Sequence, residues 1–145
     1  MQEGFVQSIA ISKQRGELKH EVESAVFIEN FGIEGDGHAG DWGRQVTVLS
    51  YESVERVNKE YNLTMKSGDF AENVLIKGLN VKQFQPGNRF QLGDSVILEI
   101  SQIGKEDHPS VVTRTFGVSL LPYEGLFCKV IRGGTVKKGD AVEML

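Results

Sequence analysis

Gly32-Ile33-Glu34-Gly35-Asp36-Gly37-His38-Ala39-Gly40-Asp41-Trp42-Gly43-Arg44-Gln45-Val46-Thr47-Val48-Leu49 is the stretch on which the reading of this chain turns. Five glycines fall within its first twelve residues, and a β-branched apolar run follows. Glycine reaches positive φ and lets backbone amides approach a ligand, so the loop can present amides, an imidazole and a guanidinium together. Ordering it costs ~0.5–1 kcal/mol per glycine relative to alanine in a regular element. Anion or cofactor binding would justify that cost; a plain surface turn is the alternative. Residues 35–40 also spell G-x-G-x-x-G, but a dinucleotide fingerprint needs a helix directly after the glycines inside a βαβ unit. Residues 44–49 read instead as a buried strand.

Outward from this stretch, short apolar runs punctuated by glycine recur, which favours strands. Phe5, Gln7, Ile9 and Ile11 alternate against Val6, Ser8 and Ala10, and residues 21–31 suit a second strand. One helix is expected after Ser50: Ser50 as cap, Glu52 and Glu55 near the positive end, and Val54, Val57 and Tyr61 as an apolar stripe. Residues 73–76 form a short apolar run, Pro86-Gly87 marks a turn, and 95–103 reads as the longest strand, with Val96, Leu98 and Ile100 on one face. Residues 126–131 and 141–145 complete the set. Two Gly-Asp-x-Val turns, at 93–96 and 139–142, each lead into a strand. The expected fold is mainly β: a closed or partly open barrel of short strands with one or two helices, in a single domain over 1–145.

Composition narrows the function. A net charge of −4, from 16 Lys and Arg against 20 Asp and Glu, argues against a general nucleic-acid binder but leaves room for a local positive pocket. One cysteine, Cys128, excludes an internal disulfide and suits a reducing compartment. No signal-like segment or membrane-length apolar run is evident, so a cytoplasmic location without membrane association is expected.

Several clusters could carry chemistry. Asp36 and His38 share the glycine loop, and Asp107 and His108 a second one; together they could ligate a divalent metal, although the spacing matches no helical pair and hydrogen-bonded turns are the simpler reading. Gly68-Asp69-Phe70-Ala71-Glu72-Asn73 suits turn chemistry or a pocket shared with Arg44. Lys105 and His108, at the end of a long strand, are either solvated surface or a means of neutralising phosphate. Cys128 lies among apolar neighbours, where burial would blunt its nucleophilicity.

Taken in order, these segments resemble the MOSC domain, the module at the C-terminus of molybdenum-cofactor sulfurases that also occurs as small stand-alone bacterial proteins. The matching motifs are Ile9-Ala-Ile-Ser-Lys13 with Gly16-Glu-Leu-Lys19, then residues 32–40, Arg44-Gln45-Val46, residues 68–73, and Gly87-Asn-Arg89 with Leu92-Gly93-Asp94. They continue with Gln102-Ile103-Gly104-Lys105 and His108, Pro122-Tyr-Glu124-Gly125-Leu-Phe127, Gly133-Gly134 and Gly139-Asp140.

The resemblance implies a strand-rich barrel with a pocket for molybdenum cofactor (molybdopterin) or a related pterin phosphate, in molybdoenzyme or cofactor metabolism. It implies Gly35, Asp36, Gly37, His38, Arg44, Gln45, Asp69, Glu72, Asn73, Lys105 and His108 as binding residues. Arg44, Lys105, His38 and the glycine amides would surround the anion, while Glu72 and Asn73 would bond the heterocycle. The family pattern places a cysteine, the expected sulfur carrier or molybdenum ligand, where this chain has Asp107. Asp107 is therefore the candidate catalytic and metal position, and Cys128, the only thiol, the other catalytic candidate. Aspartate forms no persulfide and is a harder ligand than thiolate. Expected partners are a small anionic pterin and a molybdoenzyme or sulfur-donor protein. Pyridoxal phosphate is not expected, because the desulfurase domain that carries it in relatives is missing from this chain. Alternatives are a cofactor-dependent reductase of N-hydroxylated compounds, a sulfur transferase using Cys128, and a non-catalytic interaction barrel.

Overall fold

A computed structural model describes residues 3–145. The strands are β1 (Glu3–Ile11), β2 (His20–Val22), β3 (Ser24–Ile28), β4 (Gly32–Ile33), β5 (Val46–Ser50), β6 (Val74–Lys77), β7 (Arg89–Leu92), β8 (Val96–Ile103), β9 (Leu126–Arg132), β10 (Gly134–Lys137) and β11 (Ala141–Met144). Three helices accompany them: α1 (Tyr51–Tyr61), α2 (Val111–Phe116) and α3 (Leu121–Glu124), with a 3-10 turn at Val81–Gln83.

The main sheet runs β11-β7-β8-β9-β5-β6-β1, and β1 pairs β11 through Glu3↔Glu143 and Phe5↔Ala141, closing a barrel. β2 is appended to the far end of β1, and β10-β3-β4 form a small separate sheet. Closure removes free edges from the barrel, which blunts edge-to-edge association. Every pairing is antiparallel except β5 with β6, where Val48 faces Val74 and Ser50 faces Ile76. A parallel neighbour needs a crossover, and α1 lies within it.

Two apolar cores result. Alternate residues of the strands fill the barrel: Val96, Leu98 and Ile100 of β8 meet Val46, Val48, Cys128 and Val130. A second core lies outside, where Val54 and Val57 of α1 and Val112, Leu120 and Leu121 from the α2–α3 region cover Leu49, Leu75 and Phe127. β5 is therefore buried on both faces along its whole length. Such two-sided burial explains why the strand carries no charged residue and why Leu49, on the outer face, is as apolar as Val46 and Val48 on the inner one.

The closed barrel agrees with the expected fold class, while several local details differ. The longest strand is β1, nine residues against eight for β8. The segment 21–31 breaks at Glu23 into β2 and β3, which belong to different sheets. Helix α1 begins after Ser50 as expected, but Ser50 makes no capping bond; its hydroxyl donates to the Glu52 carboxylate at 3.2 Å. Tyr61 is 55% exposed and does not join Val54 and Val57 in the stripe. No helix is long and apolar enough to cross a membrane among the described residues.

Candidate functional site

A cavity of about 290 Å³ opens on the outer face of the barrel. Thr47 of β5 and Phe127 of β9, register partners across the two strands, lie in its lining. His38 comes from the glycine loop, Lys105 and His108 from the loop after β8, and Arg114 from α2. Apolar groups including Phe70, Val112 and Leu121 complete much of the lining, and no Asp or Glu contributes to it. In a chain with net charge −4, a cavity with two cations, two imidazoles and no carboxylate is a local inversion of charge. Such a site concentrates anions.

The loop carrying Lys105 is held by its backbone. The Gly104 amide donates to the Gly125 carbonyl at 2.9 Å and the Lys105 amide to the Pro122 carbonyl at 3.0 Å. The Lys105 ammonium stands 5.9 Å from the Phe127 ring centre, and the Arg44 guanidinium lies over the same ring at 5.2 Å. Burial, then the Arg44 charge, lowers the Lys105 pKa, opposed by Glu106. Arg44 also bonds Gln102 at 3.4 Å and faces the Glu106 carboxylate at 3.6 Å. Residue 44 and the 105–106 segment thus meet, although Arg44 sits beside the cavity and not in its lining.

His38 rests on a buried polar array. The Lys19 ammonium donates to Asp36 Oδ1 at 2.8 Å and to Ser12 Oγ at 3.0 Å, and stands 3.1 Å from His38 Nδ1. Asp36 also accepts the Ser12 and His38 amides, each at 3.1 Å. The imidazole stacks on Trp42 with centroids 6.2 Å apart, and the Trp42 indole donates to the His38 carbonyl at 2.7 Å. Arg15 covers Trp42 at 4.0 Å. Burial, then the Lys19 charge, pulls the His38 pKa down to about 4, against the pull of Asp36. His38 is neutral at physiological pH.

The remaining glycine-loop residues serve the frame. The Gly37 amide donates to the Ser12 carbonyl at 2.7 Å and the Gly40 amide to the Phe31 carbonyl at 2.7 Å, so neither is free for an anion. A Cβ on Gly37 would come within 2.5 Å of the Gln14 backbone. That glycine is required for chain-on-chain packing. Gly35 lies outside the cavity lining.

Several other expected ligand groups are turned inward. Gln45 accepts the Val130 amide at 3.0 Å, and Asn73 accepts the Thr47 amide at 3.0 Å while donating to the Ala10 carbonyl at 3.1 Å. Glu72 accepts the Gly68 and Phe70 amides at 2.7 and 3.1 Å. Asp69 accepts the Lys66 amide at 3.0 Å, closing a turn. The role assigned to Glu72 and Asn73, bonding a heterocycle, is corrected: backbone amides need acceptors there, and these side chains supply them. Desolvation pushes the Glu72 pKa up to about 7, despite the amide bonds that favour its charged form.

Asp107 accepts a hydrogen bond from the Tyr123 hydroxyl on the other side of the 104–110 loop, beside α3, outside the cationic cavity. Cys128 is fully buried in the barrel core, and burial drives its thiol pKa far up. Side chains alternate across a strand, so Phe127 faces the cavity and Cys128 faces inward. The assignment of Cys128 as sulfur carrier is corrected on that ground. Among the described residues no group of three or more His, Cys, Asp or Glu side chains is arranged to hold a metal ion. Lys19, Arg114 and Phe127 escaped assignment as site residues. Lys19 and Phe127 lay within quoted motifs, whereas no local pattern marks Arg114.

Fold and site together define a small closed β-barrel protein with a cationic cavity on its outer face. The model of the MOSC domain family matches residues 34–143, and the chain belongs to that family. Among solved structures it resembles the YuaD protein of Bacillus subtilis, with a TM-score of 0.78 at 17% identity, covering 98% of this chain and 95% of that one. It also resembles YiiM from Geobacillus stearothermophilus (TM-score 0.75, 16% identity, 98% and 75% covered) and YiiM from Escherichia coli (0.69, 19%, 97% and 69%). At these identities the likeness is one of fold. No curated protein matches the chain.

Proposed function

We propose that this MOSC-domain protein binds the molybdenum cofactor or a related pterin phosphate in the cavity between His38, Lys105, His108 and Arg114, and acts in molybdoenzyme or cofactor metabolism. The observation that carries the reading is the cavity lining: Lys105, Arg114 and two imidazoles without a carboxylate. Lysine and arginine suit phosphate, the first as a point charge and the second as a fork. The Phe70 and Phe127 rings add an apolar surface suited to a flat heterocycle. The donor set fits the phosphate and ring of such a ligand. It offers no thiolate for the molybdenum atom, because Cys128 is sealed in the barrel and Asp107 turns toward Tyr123. The bound cofactor supplies redox or sulfur chemistry at its metal; this chain holds the anionic end and shields the ring from water.

Equilibrium binding to molybdopterin tests the reading, together with pterin fluorescence and elemental analysis of protein purified from a cofactor-producing host. A charge-assisted hydrogen bond is worth ~1.5–3 kcal/mol, so Lys105→Ala should weaken binding roughly tenfold to a hundredfold. Arg44→Ala should act less, since Glu106 and Gln102 already engage that guanidinium. Binding indifferent to Lys105 would refute the site.

A further inference from the structure

We propose that Lys19 and Asp36 are positioning residues that fix His38 as a neutral imidazole protonated at Nε2, so that the cavity presents it as a hydrogen-bond donor and selects an acceptor oxygen on the ligand. The inference rests on the ligand reading above for its consequence, but its structural content stands alone.

An ammonium carries three N–H bonds and no lone pair. All three on Lys19 have acceptors: Asp36 Oδ1, Ser12 Oγ and His38 Nδ1, at 2.8, 3.0 and 3.1 Å. The Ser12 hydroxyl proton goes to the Gln14 carbonyl at 3.0 Å, which leaves Ser12 Oγ as an acceptor toward Lys19. His38 Nδ1 is then an acceptor as well, and the proton of the neutral ring resides on Nε2. The opposite tautomer would require a neutral lysine amine against a carboxylate, contrary to the intrinsic order of lysine and histidine basicity. The Lys19 and Asp36 side chains are both fully buried, so water does not offer competing partners.

The ring is also fixed in orientation. Trp42 stacks on it at an interplanar angle of 6°, and the indole donates to the His38 carbonyl. Every charge that acts on the ring is accounted for: Lys19, Arg15 and Lys105 oppose its protonation, and Asp36 favours it. The imidazole lines the cavity. It contributes a directed donor without adding charge, and Lys105 and Arg114 supply the charge. A deprotonated phosphate oxygen or a ring carbonyl satisfies such a donor; an amino group does not.

Long-range proton–nitrogen NMR of the labelled ligand-free protein reads the tautomer directly. The expected spectrum shows His38 protonated at Nε2 and unprotonated at Nδ1 across neutral pH; a proton on Nδ1 overturns the proposal. Lys19→Met should release Nδ1, mix the tautomers and raise the titration midpoint of His38. The double variant Lys19→Met with Asp36→Asn guards against misfolding from an isolated buried carboxylate and should mix the tautomers likewise. An unchanged tautomer in both variants overturns the proposal. Affinity for molybdopterin should fall about tenfold in the double variant. If Lys105→Ala leaves molybdopterin binding unchanged while the spectra show the Nε2 proton, the ligand reading fails and the positioning role stands.

Discussion

Replacing Glu72 by Gln should remove a pH dependence that the wild-type protein hides. Glu72 is 1% exposed, and its pKa rises from 4.5 to about 7, chiefly through desolvation. A carboxyl whose folded-state pKa is raised contributes stability that is present below about pH 4.5 and lost as pH rises through 7. The gap from 4.5 to 7, at about 1.4 kcal/mol per pH unit, amounts to roughly 3 kcal/mol. His38 works in the opposite sense. Its pKa falls from 6.5 to about 4, so its contribution is present above pH 6.5 and lost as pH falls through 4. Between about pH 4.5 and 6.5 the folded state holds an extra proton on Glu72 and lacks one on His38, and the two slopes offset. Glutamine carries no titrating proton, and its single acceptor oxygen keeps only one of the two backbone amide bonds that Glu72 makes, a loss that does not vary with pH. Urea unfolding of both proteins from pH 4 to 8 isolates the effect, because every other titrating group is common to the pair. Wild-type stability minus variant stability should fall by roughly 3 kcal/mol across that range, and the variant alone should gain stability with pH as the His38 term is exposed. A difference that does not vary with pH would refute the buried-carboxyl argument.

Three further outcomes follow from the same structure. Gly68→Ala should destabilise by about 3 kcal/mol or more in thermal unfolding, since its φ is +87° and a Cβ would lie 2.1 Å from the Lys19 carbonyl. Cys128 should resist thiol reagents until the protein unfolds, and Cys128→Ala should cost roughly 1–2 kcal/mol of stability while leaving molybdopterin affinity unchanged. Asp107→Ala should leave that affinity within about twofold, well under 1.4 kcal/mol, because its carboxylate pairs with Tyr123 outside the cavity; a large loss would place residue 107 in the site after all.

Much of the barrel was legible in the chain. The alternation of Val96, Leu98 and Ile100 in β8, the turns at Gly93 and Gly139 and the position of α1 could be read locally, because period-two burial and turn chemistry act over a few residues. Helices α2 and α3 were not resolved individually. They are six and four residues long, too short for a periodic signal, and are held by the second core and local capping. The motif order also pointed to residues 38, 44 and 105 as neighbours, and Arg44 does meet the 105–106 segment.

Sequence alone determined that this chain is a mainly β barrel, and it singled out a glycine loop and the Lys105 segment as candidates for a site. Only the tertiary structure decided which polar side chains face the cavity and which sustain the frame. Asp36, Gln45, Glu72 and Asn73 carry the same donors and acceptors in either role, and their partners come from distant chain: Val130 lies 85 residues from Gln45, and Ala10 lies 63 from Asn73. Phe127 and Cys128 were equally ambiguous, because a strand covered on both faces has no hydrophobic contrast to tell inside from outside. Closure of the barrel sets that direction, sending the ring to the cavity and the thiol to the core.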